Sequence, residues 1–168
     1  MGELRTVPSF DWVRGESWNV TFTRGITPDD VLSRYGAVPR DARVMPLREA
    51  LRLGHDSYGA GTPKSVLRVG MVGDWSFCYE EWGVLGCAPR VLSALSRDGE
   101  TFAVHTDANA LDAFAHWRDG RCAESVELDA ARAIRRVGDR TGAVPDDAMV
   151  GGPLPTVLLA EPRTERKP

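Results

Sequence analysis

The stretch SVLRVGMVGDWSFCYEE, residues 65–81, decides the fold. Two strand-like runs, 65–72 and 75–81, flank Gly73-Asp74, and a two-residue glycine-containing link between such runs is a hairpin signal. Setting Val72 against Trp75 fixes the register, so that Arg68 faces Tyr79 and Leu67 faces Glu80. Leu67, Val69, Met71, Cys78 and Glu80 then share one face, while Val72, Trp75, Phe77 and Tyr79 share the other. Large apolar groups on both faces predict a central hairpin with cover on each side.

Towards the N-terminus, Trp18, Val20 and Phe22 alternate with Asn19, Thr21 and Thr23, the period of a half-buried strand. Thr27 is an N-cap, Pro28 suits the first helical position, and Gly36 ends the helix that runs through Val31 and Leu32 to Tyr35. A second helix is expected over 46–53, closed by Gly54, with 55–63 as an exposed loop. Towards the C-terminus, a helix over 89–95 leads into a meander of strands at 101–106, 111–118 and 121–128. Asp119-Gly120 turns the last two. Beyond Asp129 the pattern weakens to a basic stretch at 132–140, a short helix opening at Pro145-Asp146-Asp147, and a break at 151–155. The charged tail over 161–168 is expected to be disordered. The organisation expected is an N-terminal arm (1–17), a single domain (18–152), and a C-terminal segment and tail (153–168). Its fold class is α+β: a mostly antiparallel sheet of five to seven strands with two or three helices on one face.

At 168 residues, with 42% hydrophobic and 27% charged, the chain is large enough for one domain with its own core. A net charge of −3 argues against a nucleic-acid partner. No apolar run is long enough to span a membrane, and no N-terminal apolar segment suggests export, so a cytoplasmic protein is expected. Cys78, Cys87 and Cys122 are odd in number and lack a CxxC pair, which fits reduced thiols and no metal site. Phosphate-binding and hydrolase fingerprints are missing, and no cofactor is expected.

The order of several short motifs resembles a family of uncharacterised domains from actinobacterial genomes, small α+β proteins of the Streptomyces type. The matching pieces are residues 20–30 (VTFTRGITPDD), 68–75 (RVGMVGDW), Glu80-Glu81-Trp82-Gly83, 91–97 (VLSALSR), Asp107-Ala-Asn-Ala110, and Phe114 leading into Asp119-Gly120. They span about residues 18–152, with 42–63 departing from the pattern. The resemblance implies lineage and no catalytic residue.

Two sets of residues suggest chemistry. Taking 107–110 as a four-residue loop places His105 opposite Asp112, and the Asp-Gly turn places Asp112 opposite Glu127. A histidine between two carboxylates is a workable general base, although the plainer reading is the solvated face of a half-exposed sheet. Phe102, Val104, Leu111, Ala113, Trp117, Cys122, Val126 and Leu128 would then form the core face. Glu80, beside Leu67 and Val69, is a carboxyl that burial would turn into an acid of raised pKa, although the plainer reading is a strand-end group that reaches water or pairs with an arginine such as Arg90. Trp75, Tyr79 and Trp82 are close enough in sequence to wall a pocket or anchor a partner, although the plainer reading of aromatics in a central hairpin is core. Two functions follow. One is an accessory or immunity-type module that recognises another protein. The alternative is a small enzyme or small-molecule-binding protein using His105, Asp112, Glu127 and Glu80.

Overall fold

The computed structural model describes residues 7–109 and 111–161. The central hairpin pairs as expected: β3 (Lys64–Val72) and β4 (Trp75–Glu81) place Arg68 opposite Tyr79 and Val72 opposite Trp75. The other strands are β1 (Trp18–Arg24), β2 (Arg43–Met45), β5 (Glu100–Thr106), β6 (Ala113–Arg118), β7 (Arg121–Glu127) and β8 (Leu154–Ala160). They form one antiparallel sheet in the order β2-β8-β3-β4-β1-β5-β6-β7. The fold is therefore α+β, with eight strands where five to seven were expected.

Five α-helices, and not two or three, are found among the described residues: α1 (Pro28–Tyr35), α2 (Leu47–Gly59), α3 (Pro89–Leu95), α4 (Ala130–Thr141) and α5 (Asp147–Gly151). They cover both faces and not one. Trp18, Val20, Phe22, Phe77, Phe102, Val104 and Phe114 pack beneath Ala133, Ile134 and Val137 of α4 and Val150 of α5. On the reverse face, Leu67, Val69 and Cys78 meet Val31, Leu32 and Tyr35 of α1 and Val91 and Leu95 of α3.

The extent of the second layer was hidden because the residues that β1 gives to it are small and polar. Asn19, Thr21 and Thr23 alternate like a solvent face, yet all three are buried. Their side chains are hydrogen-bonded within the layer: Thr21 to the Tyr35 hydroxyl at 2.9 Å, and Thr23 to Thr101 at 2.9 Å. A buried hydroxyl with a partner carries little desolvation cost.

Local chemistry explains the remaining differences. The N-terminus of α1 is the expected one, with Thr27 and Asp30 capping each other reciprocally at 3.1 Å. Helix α2 does not end at Gly54 but runs on to Gly59, which converts most of the expected 55–63 loop into helix. Gly54 is a packing glycine, since a Cβ there would stand 2.7 Å from Val66 Cγ2. The segment set apart after residue 152 supplies β8, which lies between β2 and β3. The basic stretch becomes the amphipathic α4, capped by Asp129 through the Arg132 N–H. The expected disordered tail lies, beyond Glu161, outside the described residues. No helix among the described residues is long and apolar enough to cross a membrane.

Candidate functional site

The meander register differs by one residue from the expected one, and the His105–Asp112–Glu127 row does not form. His105 stands opposite Ala113, and Ala113 opposite Glu127. Asp107 Oδ1 accepts the backbone N–H groups of Asn109 and Leu111, at 2.9 and 3.2 Å, and this Asx turn makes the loop one residue longer. A bulge between His116 and Trp117 then restores the expected Arg118–Arg121 pair. Asp112 instead accepts from the Thr106 hydroxyl at 2.5 Å and from the Ala130 N–H at 3.3 Å. His105 sits 3.6 Å from Asp107. A one-residue slip also exchanges faces. Phe114 and His116 join Phe102 and Val104 on the core side, while Leu111, Cys122 and Val126 of the expected core are exposed. Trp117 and Leu128 are half-buried. His116 stacks on Phe102 at 4.6 Å and meets Glu100 at 3.0 Å.

The segment Glu80-Glu81-Trp82-Gly83 is where the structure concentrates unusual features. Glu80 is fully buried, on the face shared with Leu67, Val69 and Cys78. Burial pushes its pKa up to about 7, against the lowering effect of the Gly86 and Leu85 N–H groups. Those N–H groups donate to its two oxygens at 2.7 and 3.2 Å, so the carboxyl ties a 3-10 turn (Leu85–Cys87) back onto β4. No cation pairs with it among the described residues.

Asn19, paired with Glu80 across β1 and β4, donates to Cys87 Sγ at 2.9 Å, while its own Oδ1 is buried without a partner. Burial likewise pushes the Cys87 thiol up to about 12, so it stays protonated. Gly83 and Gly86 are required by this packing. A Cβ on Gly83 would lie 2.6 Å from Glu80 Oε1, and one on Gly86 would overlap Asn19 Oδ1 and stand 2.9 Å from the Tyr35 hydroxyl. Gly86→Ala is accordingly expected to cost about 2–3 kcal/mol, read as a lower urea midpoint at unchanged m.

Directly after Glu81 comes Trp82, with φ +60° and 58% of its surface exposed. Asp98 and Asp119 also have positive φ, but aspartate tolerates that region, whereas a bulky aromatic residue there is strained. Of the three aromatics expected to bind, Trp75 and Tyr79 are core residues, and Trp82 alone is presented to solvent.

Trp82 borders a pocket of about 530 Å³ at the end of the sheet where β3 begins and β4 ends. Helix α2 contributes Leu51, Gly54, His55 and Tyr58, the start of β3 contributes Lys64, Ser65 and Val66, and Glu161 follows β8. This volume lies in the range that accommodates a small molecule or a long side chain. The Tyr58 hydroxyl donates to Glu161 Oε1 at 2.7 Å, an interaction that raises the phenol pKa. Glu81 is half-buried. Burial raises its pKa, while the Tyr79 hydroxyl at 3.4 Å and the charge of Arg68 act in the opposite direction.

Residues 55–63 were read as a loop, so the part of α2 that lines this pocket could not be placed beside Trp82. Among the described residues, no group of three or more histidines, cysteines and carboxylates is placed to hold a metal ion.

Together, the fold and the pocket define a three-layer α+β protein with one strained, exposed tryptophan at the mouth of a largely apolar cleft. The chain belongs to a family of unknown function, DUF6461, which it matches over residues 4–151. No curated protein and no solved structure matches it.

Proposed function

We propose that this protein is a cytosolic binding module of actinobacterial type, an accessory or immunity-type protein that recognises another protein by taking one of its side chains into the pocket beside Trp82. The observation that carries this reading is Trp82 itself. A large apolar residue is held exposed, in a backbone conformation that costs on the order of 1–2 kcal/mol, at the rim of a cleft. Among the described residues its backbone N–H donates to Ser17 O at 3.2 Å, but no contact buries the exposed part of the indole. A bound partner would return that cost, since buried tryptophans rank among the residues that dominate binding energy.

The His105, Asp112 and Glu127 side chains, in contrast, are dispersed among separate hydrogen bonds and strands.

Trp82→Gly separates folding from binding. Glycine relieves the positive φ, so the variant is expected to be as stable as the parent or more stable by about 1 kcal/mol in urea unfolding. Its partner affinity should fall by about 30-fold or more, the loss of an interface anchor of at least 2 kcal/mol. Loss of stability at unchanged partner retention would contradict the proposal.

A further inference from the structure

Resting on that reading, we propose that the side chain received by the pocket is a long cationic one, with arginine the best match. Two carboxylates line the cleft, Glu81 and Glu161, and among the described residues neither is in an ion pair. Lys64 is the one lysine or arginine in the lining, so the acidic groups outnumber it.

Glu81 is half-buried, and its interactions within the chain are a long hydrogen bond from Tyr79 and the field of Arg68. The guanidinium of Arg68 is already occupied by the backbone carbonyls of Met45, Val150 and Gly152. A partly desolvated carboxylate without a direct cation gains most from an incoming positive charge.

The remainder of the lining suits the rest of such a side chain. Leu51 and Val66 offer apolar surface to an aliphatic stem, and the Trp82 indole offers a π face to the head group. A planar guanidinium can stack on an indole and bind a carboxylate in the same pose, which an ammonium does less well. An acidic or neutral side chain of equal length would leave the half-buried Glu81 charge without a counter-charge.

The test is an NMR and tryptophan-fluorescence titration of the intact protein with N-acetyl-arginine amide. N-acetyl-citrulline amide, of the same length and neutral, serves as the comparison. The expected result is saturable binding of the arginine compound at roughly millimolar Kd, with the Trp82 indole resonance moving. Citrulline should bind about tenfold more weakly, and arginine binding should weaken from about 50 to about 500 mM salt. Glu81→Gln, checked for native circular dichroism, should bring the arginine compound down to the citrulline level. Equal binding of the two compounds would overturn the cationic assignment while leaving the pocket a binding site. No movement of the Trp82 indole with either compound at tens of millimolar would also overturn it, and the Trp82→Gly comparison above then decides the broader reading separately.

Discussion

Arg68→Ala is expected to destabilise the protein by about 3–5 kcal/mol, the largest single effect the fold predicts. Arg68 is 1% exposed in the middle of β3, where a guanidinium needs hydrogen-bond partners to be tolerated; its Nε is buried without one, and its two terminal nitrogens carry the bonds. Its guanidinium donates to Met45 O at 3.0 Å, to Gly152 O at 2.6 Å, and to Val150 O. These carbonyls belong to β2 and to the C-terminal end of α5, so one side chain fastens two peripheral elements to the centre of the sheet. Truncation leaves the carbonyls without donors and opens a cavity beside Val150. Burial lowers the arginine pKa to about 10, so the group remains charged at neutral pH and its loss has no compensation from titration. Lysine, with a single ammonium in place of the planar fork, should restore less than half of the stability. Urea unfolding of the parent, Arg68→Ala and Arg68→Lys measures both values, and an alanine cost below about 1 kcal/mol would show that the carbonyls find other partners.

The second large effect is a pH dependence carried by Glu80. Its carboxyl titrates near 4.5 when exposed and near 7 in the fold, where burial is the main cause. Below about pH 4.5 both folded and unfolded chains hold the proton, and the group contributes no difference. Between about 4.5 and about 7 the folded chain retains the proton that the unfolded chain has lost, so stability falls as pH rises. Above about 7 the full cost persists, on the order of 3 kcal/mol for this interval.

Of the groups around Glu80, the Gly86 and Leu85 N–H groups oppose this shift. The Tyr35, Cys78 and Cys87 side chains are neutral, and Glu161 adds a like charge. Glu80→Gln removes the titrating charge but sets an amide NH2 against one of the two N–H donors. Its stability relative to the parent is therefore expected to rise by about 2–3 kcal/mol between pH 4.5 and pH 8, whatever the offset at pH 4.5. Other carboxylates, including Glu100 and Asp147, have lowered pKa values and lose stability as pH falls. The difference between the parent and Glu80→Gln profiles cancels them. A difference that does not vary with pH would contradict the assignment.

The legibility of this fold in its sequence followed the strength of the local turn chemistry. Gly73-Asp74 and Asp119-Gly120 each fix a two-residue turn, and both flanking registers near them are found as read. That is why Glu80 could be placed on the face of Leu67 and Val69 from residues 65–81 alone, although the plainer reading let its carboxyl reach water and the structure buries it. The loop at 107–110 has no such signal. Its Asx turn takes one residue more than the simplest count, and one residue exchanges the faces of β6. The threonines of β1 were read as solvent-facing because hydroxyls satisfied by Tyr35 and Thr101 look like surface in a pattern of polarity. The pocket was beyond reach for a different reason. It joins α2, the start of β3, Trp82 and Glu161, which are close only after β8 has inserted beside β3. Nor does a tryptophan followed by glycine announce which of the two adopts positive φ.

The most direct test of the central claim is native mass spectrometry of the parent protein and Trp82→Gly, each gently purified from the host at matched expression. The account predicts a polypeptide bound to the parent at fixed stoichiometry and absent from Trp82→Gly, with both proteins folded and equally abundant. An equal yield of the same complex from both would contradict it, as would a parent protein that carries no polypeptide and only a small bound mass.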